Sequence, residues 1–155
     1  MIEVTAPALA AHPFLRGMRA GHLDVLVATA SDVAFPAGHR IFASGGYAGK
    51  FWLIQSGHVA LDLRLHGESP VVIDTIGIGG SLGCSWLFPP YQWAFGAVCV
   101  SAVRAFEFDA VAVRAACAAD PGLGYEFSQR FIRVLAGRLQ STRARLIARG
   151  VASAC

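Results

Sequence analysis

The chain has 155 residues, 55% of them hydrophobic and 15% charged, with a mean hydropathy of +0.52 and 17 glycines. This composition excludes intrinsic disorder, which needs low hydrophobicity and high charge, and points to one domain with a well-filled core. The net charge of +3 hides an asymmetry: residues 127–155 hold six arginines (Arg130, Arg133, Arg138, Arg143, Arg145, Arg149) and no acid, whereas residues 1–126 carry seven bases against ten acids. A basic tail on an acidic body reads either as a solvated helix face or as a surface for an acidic partner or nucleic acid.

Residues 1–12 contain Glu3 and no basic segment leading into an apolar one, so they read as an N-terminal extension rather than a secretory signal, and the protein as cytoplasmic. From His12 to Thr29 the apolar positions Phe14, Leu15, Met18, Leu23, Val25, Leu26 and Val27 predict one or two short helices, broken near Gly21. Pro13 suits a helix start, where its missing N–H would have no partner anyway. Runs at 33–38, 39–46, 50–57, 58–65, 70–77 and 94–109 are rich in Val, Ile, Phe and Trp and punctuated by Gly, Pro and Ser. Such runs at close spacing predict an antiparallel barrel or sandwich. Alternation is clearest over 58–65, where Val59, Leu61, Leu63 and Leu65 share one face, the pattern of a half-buried strand. His66–Pro70 then reads as a turn, with Pro70 opening the next strand. The ten charge-free residues from Ala94 to Val103 fall well short of the ~20 that a bilayer demands, so they read as a buried strand and no membrane association is expected.

Beyond Asp109 the period becomes helical. Asp109 is expected to cap a short helix through Cys117, and Asp120 with Pro121 to open a longer one. Within the longer helix Ser128, Ile132, Leu135, Leu139, Thr142, Leu146 and Arg149 follow alternating steps of four and three, the seam of a coiled coil. A second stripe of Phe127, Phe131 and Val134 would face the barrel. Two faces imply two partners, so a homodimer is expected through Ile132, Leu135, Leu139, Thr142 and Leu146. Gly137 costs about 1 kcal/mol against Ala in mid-helix, an expense offset if it lets two helices approach closely. The cysteines Cys84, Cys99, Cys117 and Cys155 are separated by 15, 18 and 38 residues, matching neither a redox pair nor a zinc cluster, and read as reduced thiols. His12, His22, His39, His58 and His66 show no ligand spacing, so no metal site is expected.

Helices, about eight strands with a glycine-rich stretch, a short helix and a long dimerising helix: this order resembles the cyclic nucleotide-binding domain of the Crp/Fnr regulators. Residues 35–42 (FPAGHRIF) are similar to that family's first strand and turn, and 51–59 (FWLIQSGHV) to its strand–glycine–strand corner. Residues 76–83 (IGIGGSLG) are similar to the approach to its phosphate-binding cassette, and 138–142 (RLQST) to a stretch of its central helix. The resemblance implies an α+β, mainly β fold: an antiparallel β-barrel or double-stranded jelly roll over 31–109, N-terminal helices over 13–30 and C-terminal helices over 110–147, followed by a tail at 148–155.

The departures bear on function. In the family a Glu after the cassette's last Gly holds the ribose 2′-hydroxyl, and an Arg further on pairs with the cyclic phosphate; here these positions fall at Cys84 and Trp93. Between Lys50 and Arg104 the only other base, neutral histidines aside, is Arg64, so a buried phosphate would lack its local counter-charge, at a cost of several kcal/mol. Conventional binding of cyclic AMP or cyclic GMP is therefore not expected. In its place stands Trp86–Leu87–Phe88–Pro89–Pro90–Tyr91–Gln92–Trp93, which resembles the cassette of a subset of short, Crp-like single-domain proteins. The segment reads either as an aromatic pocket for a less charged ligand, walled by Trp86, Tyr91 and Trp93 with the amides of Gly79, Gly80, Ser81, Leu82 and Gly83 as donors, or as a filled pocket. Cys84 and Ala94 complete the expected cassette, and Thr142 and Arg143 its helix side. Cys84 reads either as a thiol activated by the glycine amides or as a small buried hydrophobe.

No recognition helix can be built from 148–155, so sequence-specific DNA binding by this chain alone is not expected. The expected function is that of a dimeric sensor or adaptor with an unidentified small-molecule or nucleotide ligand or a protein partner. The alternative is a genuine cyclic-nucleotide regulator with altered phosphate recognition, through Arg143 or Arg145. No nucleophile–base pair or paired carboxylates stand at a plausible spacing, so catalysis is not expected and no cofactor is assigned.

Overall fold

The structure, a computed structural model, describes residues 2–150; Met1 and 151–155, including Cys155 and most of the expected tail, lie outside it. The segment read as an extension contains a helix, α1 (Ala6–Ala10), capped by Thr5, whose Oγ1 accepts from the Ala8 N–H at 3.3 Å. Leu9 on this helix is fully buried, which ties the segment to the domain. His12 then caps a 3-10 turn at Pro13–Leu15, its Nδ1 accepting from the Phe14 N–H at 3.2 Å. The helical break lies at Gly17, with φ at +82°, and not at Gly21, which sits in the first turn of α2 (Ala20–Val27). Only Gly17 needs the left-handed conformation that glycine adopts without cost. Gly21 stays helical because Leu23 and Leu26 bury themselves one turn on.

Eight strands follow: β1 (Ala30–Phe35), β2 (Arg40–Phe42), β3 (Lys50–Ser56), β4 (Val59–Leu63), β5 (Val71–Ile76), β6 (Ser81–Leu82), β7 (Gly96–Cys99) and β8 (Val103–Asp109). They form two four-stranded sheets, ordered β1-β8-β3-β6 and β2-β7-β4-β5, with every pairing antiparallel. This is the mainly β jelly roll with flanking helices that the sequence predicts. Ala94–Val103 is not one strand: β7 ends at Cys99, and the chain reverses through an exposed Val100 before β8.

The β3–β8 register divides the core in two. Phe51 opposite Phe108 and Leu53 opposite Phe106 share one face, while Trp52 opposite Glu107 and Ile54 opposite Ala105 share the other. On the first face Phe51 stacks on Trp86 (4.5 Å) and Phe108 (4.7 Å) and meets the edges of Phe127 and Phe131 from the long helix. On the second, Trp52 stacks on Phe42 of the opposing sheet at 5.6 Å.

The strand read as half-buried is buried on both faces: Val59, Ala60, Leu61 and Asp62 are all inside, and Leu65 lies beyond the strand end, 52% exposed. Asp62 stays inside because Arg40 donates to both its oxygens, at 3.1 and 2.7 Å. These bonds hold the Asp62 carboxyl below its ordinary range, against the desolvation that would raise it. Gly96 makes the pair possible, since a Cβ there would collide with both the Asp62 carboxylate and the Arg40 guanidinium.

Asp109 caps α3 (Ala110–Ala119) through the Ala112 N–H at 3.1 Å, and Asp120 caps α4 (Pro121–Ala148) through the N–H groups of Gly122 and Leu123. Both caps are the predicted ones; α3 runs two residues past Cys117. Phe127 and Phe131 are buried against the sheet with Val134 partly so, as the stripe predicts.

Candidate functional site: the glycine-rich cassette and its surroundings

The cassette hangs on β3. Gly79 donates to the Ile54 carbonyl at 3.0 Å, Gly80 accepts from the Ile54 N–H at 2.9 Å, and Ser81 and Leu82 pair with Leu53 and Trp52. The Gly80 N–H is turned back onto the Gly77 carbonyl at 3.0 Å. Two of the amides expected to serve a ligand, those of Gly79 and Gly80, are thus already engaged within the protein.

The expected single aromatic pocket is divided. Trp93, 6% exposed, stacks on Phe42 at 4.0 Å and presses its ring against Gly83, where a Cβ would lie 2.8 Å from it. Gly83 has φ at +87°, so its conformation and this close approach both favour glycine. Trp86 is turned away into the helix-side core, fully buried, with Phe127 and Phe131 edge-on at 6.0 and 5.7 Å. Its indole N–H is buried without an acceptor, a defect costing about 1–3 kcal/mol. Tyr91, at a left-handed φ of +55°, lies under the Arg114 guanidinium at 4.1 Å. Ala94 is exposed, its carbonyl accepting from Ser44 Oγ at 3.3 Å.

Several clefts border the cassette. One of about 560 Å³ runs between the sheets at Phe42, Trp52 and Trp93, with Lys50 and Glu107 at its side. There Glu107 accepts from the Trp52 indole and from Lys50 Nζ, both at 2.8 Å. A second, of about 320 Å³, lies between Asp74–Ser81 and the α4 residues Val134, Arg138 and Ser141. A third, of about 500 Å³, lies between Trp86–Tyr91, α3 and α4.

Within the single chain the α4 side chain that reaches the cassette is Arg138, whereas Thr142 and Arg143 lie on the exposed part of the helix. Thr142 Oγ1 donates to the Arg138 carbonyl at 2.9 Å on its own helix, and Arg143 and Arg145 are exposed. Arg138 reaches across to donate to the Ser81 carbonyl, and among the described residues it has no carboxylate partner. Burial pulls its pKa down, opposed by Cys84 and Asp74. The sequence held this signal: the barrel-facing stripe Phe127, Phe131, Val134 continues by the same steps to Arg138 and Ser141. Burial raises the Cys84 pKa and outweighs the nearby Arg138, which favours the reading of Cys84 as a small buried thiol. It begins the 3-10 turn Ser85–Leu87 without a side-chain cap bond. Among the described residues no group of three His, Cys, Asp or Glu is placed to hold a metal ion.

Along α4 the expected seam lies open: Ile132, Leu135, Leu139 and Leu146 are 57, 39, 51 and 43% exposed. No helix among the described residues is long and apolar enough to cross a membrane.

Solved structures share the fold. A Geobacter metallireducens protein assigned to cyclic nucleotide binding matches with a TM-score of 0.79 at 21% identity, over 88% of this chain and 98% of its own. The catabolite activator protein of Thermus thermophilus matches with a TM-score of 0.68 at 20% identity, over 89% of this chain and 63% of its own. A CRP-like cAMP-activated global transcriptional regulator of Mycobacterium tuberculosis is 29% identical over 138 residues; the match takes in 89% of this chain and 60% of that relative's length. Residues 32–120 match the cyclic nucleotide-binding domain as a family, which spans β1 to the cap of α4, and the chain belongs to that family.

Proposed function

We propose that this chain is a dimeric, cytoplasmic regulatory domain of the Crp/Fnr type that responds to an unconventional small-molecule ligand or a protein partner and does not hold cyclic AMP or cyclic GMP in the family's manner. The observation that carries this reading is the Trp93 ring pressed on Gly83, at the position where the resemblance calls for a guanidinium. Cys84 offers no carboxylate for a ribose, and the amides of Gly79 and Gly80 are engaged. The exposed seam of Ile132, Leu135, Leu139 and Leu146 supports self-association, since a row of large apolar side chains on a projecting helix gains by burial against a second copy. Isothermal titration of the purified protein with cyclic AMP and cyclic GMP is expected to give no heat of binding; a micromolar dissociation constant for either would overturn the reading.

One observation favours the alternative of altered phosphate recognition. Arg138 brings to the cassette a guanidinium that forms no ion pair among the described residues, the counter-charge that the cassette's own segment lacks. Under that alternative Arg138→Gln abolishes nucleotide binding and Arg143→Ala, on the exposed face, leaves it unchanged.

A further inference from the structure

We propose that the third cleft, between the cassette's 3-10 turn, α3 and α4, is a binding site for a small organic anion with a flat apolar body, of the aryl carboxylate class. Its volume of about 500 Å³ lies within the usual range for small-molecule sites. The anion is called for by Arg114. This guanidinium donates to the Trp86 carbonyl at 2.7 Å and to the Tyr47 hydroxyl at 3.0 Å, and lies 4.1 Å over the Tyr91 ring. These contacts fix its orientation, yet among the described residues no carboxylate pairs with it. A planar fork with donors to spare is suited to a carboxylate, which it binds bidentately.

The flat body is called for by the walls. Trp86 and Tyr91 line the cleft, and its floor is opened by small residues: Gly124 faces Cys117, whose Cβ would stand 3.4 Å from an added Cβ, and Ser128 follows one turn on. The Trp86 indole, packed in the core behind the carbonyl that Arg114 holds, carries a buried N–H without an acceptor. A carboxylate answers the demand of Arg114, and an occupant beside Trp86 alters the surroundings that its indole resonance reports. An occupant would touch the cassette and both C-terminal helices at once, so binding here acts on the element that bears the exposed seam. The binding itself does not depend on how the cassette treats cyclic nucleotides, although its regulatory consequence rests on the reading above.

The test uses ¹⁵N-labelled protein, with the Trp86 indole resonance assigned through Trp86→Phe, titrated with 2-naphthoate and with the neutral 2-naphthamide. Naphthoate is expected to move the Trp86 resonance saturably, and naphthamide to bind at least about tenfold more weakly. Arg114→Gln should weaken naphthoate binding by at least about tenfold. Ser128→Phe, which fills the cleft and leaves Arg114 in place, should do the same. An unmoved Trp86 resonance at about 10 mM naphthoate, equal affinity for acid and amide, or wild-type affinity in both variants overturns the proposal. If naphthoate and cyclic AMP both fail to bind, this site is removed and the cassette reading stands; if both bind, the reverse holds.

Discussion

His12 sits where the N-terminal segment meets the cassette, and its protonation provides a quantitative check on that junction. The ring is buried: Nε2 donates to the Ile54 carbonyl at 2.8 Å, and Nδ1 accepts from the Phe14 N–H at 3.2 Å. Both bonds are made by the neutral imidazole, and a second proton on Nδ1 would turn the acceptor toward a donor. Burial lowers the pKa below its ordinary value of ~6.5, only partly offset by the bond to Ile54. Between the folded and unfolded values the unfolded chain holds a proton that the native chain does not. The His12 contribution is therefore complete above pH ~6.5 and lost as pH falls toward the folded pKa, with a slope of at most ~1.4 kcal/mol per pH unit. His12→Ala leaves the Phe14 N–H without its acceptor and opens a small cavity, whereas the Ile54 carbonyl keeps its bond from Gly79; the cost near pH 7.5 is about 2–4 kcal/mol. In urea unfolding from pH ~5.5 to ~7.5 the gap between wild type and His12→Ala should narrow on acidification, by about 1 kcal/mol. Comparing the two proteins cancels the other titrating groups. A gap that is constant or widens as pH falls would refute the assignment of a neutral, buried His12.

Gly96→Ala places a methyl group on the Arg40–Asp62 pair and should cost about 1–2 kcal/mol in chemical denaturation, the lower end of a broken buried pair because Arg40 is 42% exposed. Because Arg40 holds Asp62 below the ordinary aspartate value of ~3.9, stability present above that value is lost as pH falls through the folded one, and Gly96→Ala should flatten this acid limb. Leu139→Lys should leave the unfolding free energy of the monomer within about 0.5 kcal/mol of wild type and shift sedimentation velocity from dimer to monomer. Asp120→Ala removes the cap of α4 and the 3.2 Å contact with His22, with an expected loss of about 1–2 kcal/mol and faster hydrogen exchange at Gly122 and Leu123.

The parts of the fold legible in the sequence are those set by local chemistry. Asp109 and Asp120 announced two helix starts because a carboxylate followed by a helical apolar period has few other uses. Phe127, Phe131 and Val134 announced the barrel face of α4 by spacing alone. What remained hidden depends on contacts distant in the chain. Asp62 looks like a solvent-facing strand residue until Arg40, on a strand of the same sheet two places away, is seen to neutralise it over Gly96. Trp86 and Trp93 are seven residues apart in one aromatic segment, yet β3 separates them, because Phe51 and Trp52 alternate across the strand and each recruits one indole to its own face. Arg138 was missed for a different reason: the stripe that reaches it changes from apolar to polar after Val134, so a search for apolar periodicity stops one step early.

The same contacts explain why the cassette and the long helix cannot be positioned independently. At its start α4 is held by His22, which contacts Asp120 at 3.2 Å and Glu126 at 2.7 Å, and by Arg130, which donates to the Phe14 carbonyl at 2.6 Å and to Glu126 at 3.0 Å. Phe131 then packs on Trp86 of the cassette, and Arg138 donates to the Ser81 carbonyl. Ser81 itself pairs with Leu53, next to Ile54, whose carbonyl takes hydrogen bonds from both His12 and Gly79. Moving the 3-10 turn that carries Trp86 therefore requires Phe131 to repack, and moving β6 requires Arg138 to find another acceptor. Ile132, Leu135 and Leu139 lie on the same helix within two turns of these tethers, so a displacement of the cassette that carried Phe131 or Arg138 with it would move the exposed seam as well.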